Sequence, residues 1–122
     1  MGDFQKLQVW QKAKELAVGT YRLAKNQNIL KDRGYKDQIQ RAAVSISANI
    51  AEGDELGTNK QSIRHFYIAK GSSAELQTLL IIGSEIGYIE NGIADTLINE
   101  CKVISFMLAK IISARSILPD QP

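Results

Sequence analysis

Proline, cysteine and histidine are scarce in this chain of 122 residues. Proline occurs only at positions 119 and 122, so no proline interrupts a helix before the C-terminal tail. The single cysteine, Cys101, cannot form an internal disulfide, and we expect it to be a small buried thiol. One histidine, His65, is too few for a paired Glu-x-x-His di-iron site or a His-rich zinc site within one chain.

The sequence also lacks the short motifs of common enzyme classes. It has no Walker A loop, no dinucleotide-binding glycine fingerprint and no Gly-x-Ser-x-Gly elbow. We expect His65, which shares a helix sector with Ser62, Ala69 and Ser72, to be hydrogen-bonded and partly buried. These absences predict a protein that is not an enzyme and that uses no metal or other cofactor.

Long apolar runs are absent as well, and no stretch approaches the roughly 18 to 20 residues that a membrane span needs. The first residues, Met1–Lys6, do not lead into an apolar signal core, so the expected location is cytoplasmic, without membrane contact. Hydrophobic content of 44% and charged content of 23% are typical of folded soluble proteins. The length fits a single domain over residues 1–122.

Apolar residues recur with helical spacing, and no long run alternates as a strand would. The pattern predicts four helices, over residues 5–26, 35–51, 59–85 and 93–118. Short connections between helices of similar length make neighbours antiparallel, so the expected fold is all-α, an up-down-up-down four-helix bundle.

Each of three predicted helices carries one apolar face that would form the core. On the first helix this face comprises Trp10, Ala13, Ala17, Tyr21 and Ala24. On the second it comprises Ile39, Ala42, Ala43, Ile46 and Ile50. On the fourth it comprises Leu97, Cys101, Ile104, Leu108 and Ile111.

Local signals set the predicted helix ends. A polar turn is expected over 26–34, and a glycine-bounded loop over 53–57. The segment Thr58–Gln61 has the form of a capping box that starts the third helix. A turn over 87–92 should close that helix, and Pro119 should end the fourth.

The third and fourth helices carry more apolar surface than a lone bundle needs. Leu76, Leu80, Gly83 and Ala69 cluster on one side of the third helix, while a second line faces elsewhere: Ile63, Tyr67, Ala74, Ile81 and Tyr88. Phe106, with Ile117 near it, lies opposite the Leu97 stripe of the fourth helix. Such patches are typical of partner surfaces, so Ile63, Tyr67, Ile81 and Phe106 are predicted at an interface between copies of the chain. The alternative is scattered surface hydrophobes.

A polar line lies beside the apolar face of the second helix. Its members are Gln38, Arg41, Ser45, Asn49 and Glu52. Ser and Asn are mediocre helix formers, so their mid-helix positions favour specific hydrogen bonds that join helices or subunits. A solvated polar face is the alternative.

Charge is distributed unevenly along the chain. Residues 1–41 carry a net charge of +5, residues 42–70 of zero, and residues 71–122 of −3. Six basic residues of the first third are candidates for phosphate contacts: Lys14, Arg22, Lys25, Lys31, Arg33 and Lys36. A solvated basic face is the alternative. With Tyr21 assigned to the core, little base-stacking surface remains, which predicts weak sequence preference.

Several segments together resemble one protein family. They are QIQRAAVSISANIAEG (38–53), VWQKAKELA (9–17), FYIAKGSSAEL (66–76), Gly87-Tyr88-Ile89 and VISFMLAKII (103–112). They resemble the small four-helix proteins encoded in intervening sequences of bacterial 23S ribosomal RNA genes. Ser47 departs from the family pattern, which often has proline there; with serine the helix keeps a backbone donor and any kink should be milder.

The resemblance implies a bundle that assembles as a ring-shaped homopentamer. It also implies similarity to the accessory variability determinant of diversity-generating retroelements, a basic pentameric bundle that binds nucleic acid and a reverse transcriptase. The leading hypothesis is therefore a homo-oligomeric scaffold that binds nucleic acid, RNA being favoured over DNA by the family's gene location. The alternative is an adaptor that binds a protein partner and no nucleic acid.

Overall fold

Five α-helices and one 3-10 turn account for nearly all of the chain in the computed structural model, which describes residues 3–56 and 58–117. The 3-10 turn covers Phe4–Lys6. The helices are α1 (Gln8–Leu23), α2 (Gln27–Lys31), α3 (Arg33–Glu55), α4 (Asn59–Glu85) and α5 (Asn91–Ser116). The described residues contain no β-strand.

The four long helices pack as an up-and-down bundle. Helix α1 lies against α3 and α5, and α4 lies against the same two helices from the other side. Each long helix therefore contacts the long helix that precedes or follows it in the sequence. The contact between the first and last of them, α1 and α5, closes the bundle. The predicted fold class is confirmed.

The predicted second helix is longer than expected at both ends. The carboxylate of Asp32 accepts a hydrogen bond from the Tyr35 amide and starts α3 two residues early. Gly53 lies inside α3 and does not end it. A Cβ atom there would come within 2.8 Å of the Phe66 ring of α4. The glycine lets two helices approach closely. Of the predicted loop, Gly57 lies outside the described residues.

The expected polar turn over 26–34 contains the short helix α2. The Asn26 side chain accepts a hydrogen bond from the Ile29 amide, and Ile29 is fully buried. An N-cap and one apolar anchor are sufficient for a single helical turn here. The first helix stops at Leu23, with Ala24 as its C-cap, instead of running to 26.

The boundaries of the two later helices agree closely with the expectation. Helix α4 spans the predicted 59–85, and the Thr58 hydroxyl accepts a hydrogen bond from the Gln61 amide at its start. Helix α5 runs from Asn91 to Ser116 where 93–118 was predicted. Pro119 lies outside the described residues.

The core face of α1 differs from the predicted one by about one residue. Val9, Ala13, Leu16 and Thr20 are buried there, whereas Trp10 and Ala17 are half-buried and Tyr21 is 46% exposed. The assignment of Tyr21 to the core was wrong. Thr20 is tolerated in the core because its hydroxyl donates a 2.8 Å hydrogen bond to the Leu16 carbonyl.

The remaining predicted core faces are largely buried. The second-helix face, Ile39, Ala42, Ala43, Ile46 and Ile50, is fully buried. On α5, Leu97, Cys101, Ile104 and Leu108 are buried, while Ile111 is half-buried and Ile112 takes the innermost position in that turn. Burial raises the pKa of the Cys101 thiol to about 12, and a hydrogen bond with the Ser73 side chain lowers it by a smaller amount. The expectation of a buried thiol is confirmed.

Candidate functional site

A cleft of about 570 Å³ lies where α1, α2 and α3 meet, and it gathers four of the six basic residues singled out in the sequence. Its walls carry Lys14, Arg22, Lys25 and Lys36. Lys31 and Arg33 are exposed nearby but do not line it. We call this feature the basic cleft.

The four cations of the basic cleft have no acidic neighbours in its walls. The lining residues include neither Asp nor Glu. Among the described residues, none of the four cations forms an ion pair. Like charges held together without counter-charges favour an anionic ligand.

Apolar side chains form much of the surface between these cations. They are Ala17, Val18, Tyr21, Ala24 and Leu30, and the polar residues Gln40 and Ser47 of α3 complete the lining. Tyr21 and Leu30 are 46% and 52% exposed. The short helix α2 supplies Leu30 while Ile29 anchors it in the core, so the unpredicted helix forms part of the site.

The basic cleft follows a single line along α1. Lys14, Val18 and Tyr21 have the i, i+4, i+7 spacing that places side chains on one helix face, and Lys25 follows two residues after the helix ends. This spacing was visible in the sequence. The cations Lys14 and Lys25 were assigned to one sector from this spacing, but Tyr21 was left out because it was grouped with the alanines of the predicted core face.

Four members of the predicted polar line join α3 to α4. Arg41 pairs with Glu75 at 2.8 Å, and the hydroxyls of Ser45 and Ser72 are 2.8 Å apart. One turn on, Asn49 donates to the Ser45 carbonyl at 2.9 Å. The exposed Gln38 forms no side-chain hydrogen bond with the described residues.

His65 of α4 contacts the last two residues of this polar line, Asn49 and Glu52. Its Nδ1 atom lies 2.9 Å from the Asn49 side-chain oxygen and 3.2 Å from a Glu52 oxygen. Its imidazole is about three-quarters buried, as the sequence predicted. These contacts link helices within one chain, and no group of three or more metal-ligating side chains occurs among the described residues.

Apolar side chains are exposed on α4 and α5, the two long helices that do not line the basic cleft. Tyr67 and Ile81 of α4 are 57% and 46% exposed, and Phe106 of α5 is 62% exposed. Ile63 differs, because it is half-buried and packs against the core. Tyr67 and Ile117 line a groove between α4 and α5. We call these exposed residues of α4 and α5 the apolar surface.

A family model described as 23S rRNA-intervening sequence protein matches residues 5–110. The chain belongs to this family. Residues 5–110 include the whole lining of the basic cleft.

The intervening-sequence fold has a relative of known structure. It is the crystal structure of a protein of unknown function from the S23 ribosomal protein family of Bacteroides thetaiotaomicron. The two chains are 27% identical with a TM-score of 0.79, covering 85% of this chain and 97% of the other. A search of curated proteins found no match. No helix in the described part of this family member is long and apolar enough to cross a membrane.

Proposed function

We propose that this protein is a non-enzymatic, homo-oligomeric scaffold that binds nucleic acid, RNA in the first instance, through the basic cleft. The observation that carries the proposal is the convergence of Lys14, Arg22, Lys25 and Lys36 on one cleft without a carboxylate in its walls. Phosphate is the anion that nucleic acids repeat along a strand, and several cations gathered in one cleft suit such a ligand.

Self-association supports the same function by repeating the site. The apolar surface of α4 and α5 lies on elements other than those that form most of the basic cleft, so assembly through it would leave the cleft open. A closed ring, with five copies favoured by the family resemblance, would present several clefts to one strand. Linked sites of modest affinity bind a long ligand far more tightly than one site does.

The test is a fluorescence titration of the protein with a structured RNA at about 50 mM and about 200 mM salt. If all four cations contact phosphates, affinity should fall on the order of 100-fold between the two conditions. The variant with Lys14, Arg22 and Lys25 changed to Gln should bind weakly and show a salt slope smaller by about 3.

A matched control removes the same charge elsewhere. Lys6, Lys12 and Lys102 lie outside the basic cleft, and changing all three to Gln also lowers the net charge by three. This variant should retain most of the RNA affinity. Absent binding at low salt, or equal losses in the two triple variants, would contradict the proposal and favour the protein adaptor.

A further inference from the structure

We infer that the basic cleft selects single-stranded over double-stranded nucleic acid, with an unpaired base packed against Tyr21 and the adjoining phosphates against the four cations. This inference rests on the proposed function and specifies its ligand. It starts from the exposed Tyr21 ring, which shares the cleft with Val18 and Leu30.

The chemical character of the cleft separates the two kinds of strand. A duplex presents phosphates on its outside and keeps the faces of its bases stacked, so it could neutralise the cations but would leave the apolar floor uncovered. A single strand offers phosphates and free base faces together. Only the second ligand matches both parts of the lining, the cations and the apolar side chains between them.

The dimensions of the site fit this ligand. A volume of about 570 Å³ lies within the range of sites that enclose a group of nucleoside size. Lys14 and Lys25 are eleven residues apart on one face of α1 and its end, a rise of about 16 Å. A stacked strand advances about 3.4 Å per nucleotide, so this distance corresponds to about five nucleotides.

Tyr21 is positioned to act as a stacking surface. It projects from the last full turn of α1, between Val18 and Lys25, so its backbone is fixed before the ligand arrives. The amide of Gln40 stands on the α3 wall, where it offers polar contacts to base edges. The Ser47 hydroxyl donates a 3.1 Å hydrogen bond to the Val44 carbonyl, so it offers a ligand its oxygen as an acceptor. Stacking tolerates every base, which fits weak sequence preference.

The experiment compares one labelled RNA strand of about ten nucleotides with the same strand annealed to its complement, at about 50 mM salt. Fluorescence anisotropy should show tighter binding of the single strand. Tyr21→Leu keeps an apolar side chain but removes the ring, and should weaken single-strand binding about 5- to 100-fold with little effect on the duplex. Tyr21→Phe is the matched control, and should bind as the parent does.

Circular dichroism and light scattering on both Tyr21 variants should show an unchanged fold and mass, because the side chain is exposed in the single chain. If no nucleic acid binds at low salt, the proposed function itself fails. If strand and duplex bind equally, and the Lys14, Arg22 and Lys25 variant is weak while Tyr21→Leu is normal, the function stands and the inference is overturned. A smaller mass for Tyr21→Leu would also overturn it, by showing that a second copy occupies the cleft.

Discussion

The hydroxyl group of Tyr35 lies inside the bundle, where it donates a 2.6 Å hydrogen bond to the Leu79 carbonyl of α4. Burial is the main cause that raises the pKa of Tyr35 to about 12, and the charges of Asp32 and Tyr88 add to it. The Tyr35 and Tyr88 rings also meet edge to face at 5.5 Å. The Tyr35 phenol therefore stays protonated in the folded protein at neutral pH.

We expect Tyr35→Phe to lower the free energy of unfolding by about 1 kcal/mol at neutral pH, because the Leu79 carbonyl loses its donor. The wild type should lose this advantage as pH rises from about 10 to about 12, since the unfolded chain releases the Tyr35 proton first. Urea unfolding at several pH values checks this. Parallel pH profiles for the two proteins would show that Tyr35 does not carry the effect.

Residue-scale prediction failed where a polar residue entered the core. Thr20 satisfies its own hydroxyl within α1, so it can be buried while Tyr21 faces outward. A prediction from hydrophobicity ranks tyrosine above threonine as a core residue, so it assigns Tyr21 to the core in place of the adjacent Thr20. The basic residues at positions 14, 22, 25 and 36 could be predicted to lie outside the core because charge has a strong preference for the surface.

Helix packing across α3 and α4 depends on a missing side chain at Gly83. A Cβ atom there would lie 2.7 Å from the Ile89 side chain and would collide with the Tyr35 hydroxyl. Gly19 of α1 is a matched contrast, since a Cβ atom there meets only Leu97, at 3.8 Å. Substitution of glycine by alanine should therefore have opposite effects on stability at positions 83 and 19.

We expect Gly83→Ala to destabilise the protein by about 1 to 3 kcal/mol, the usual cost of overpacking. Gly19→Ala should stabilise it by up to about 1 kcal/mol through helix propensity. Thermal unfolding followed by circular dichroism measures both. A stabilised Gly83→Ala variant would mean that Tyr35 moves aside at little cost.

The ends of α3 and α5 are tied by one partly buried ion pair. Asp54 is 7% exposed, and one of its oxygens lies 3.4 Å from an Arg115 nitrogen, while its Oδ2 atom has no hydrogen-bond partner in the described residues. The Arg115 guanidinium also lies 5.0 Å from the centre of the Phe66 ring. Removal of the arginine would leave a buried carboxylate without a counter-charge.

Arg115→Gln should lower the free energy of unfolding by about 1 to 3 kcal/mol. Adding Asp54→Asn to that variant should restore part of the loss, because a neutral amide is cheaper to bury than a charge. Urea unfolding of the two single variants and the double variant completes the cycle. Additive losses would show that the two side chains do not interact.

Helix boundaries were predicted best where a distinct sequence signal marked each end of the helix. The Thr58 cap and the turn after Glu85 gave α4 its bounds, whereas Gly53 was assigned to a loop. Glycine serves equally as a helix exit and as a site of close helix contact, and only the Phe66 ring opposite it distinguishes the two. That contact joins two different helices, so the spacing of residues within one helix could not reveal it.

The assembled state is the main prediction for the whole molecule. Light scattering should report a mass several times 13.5 kDa, with five copies favoured by the family resemblance. Tyr67→Asp and Phe106→Asp should each reduce it, because assembly would bury an unpaired carboxylate at every contact. Val44→Asp is the control, since Val44 is 42% exposed on α3, away from the apolar surface.

Two results would contradict this assignment in different ways. A mass of one chain at all concentrations would show that the protein does not assemble. If the wild type assembles and both aspartate variants keep its mass, assembly must use another surface. In that case Val44→Asp becomes the informative variant.

The order in which the helices surround the core also determines how fast the chain should fold. Every contact between long helices joins sequence neighbours, except that between α1 and α5. Chains with such local contacts fold in microseconds to milliseconds. We expect the α3–α4 hairpin to form early, and the α1–α5 contact, which must close the longest loop, to form last.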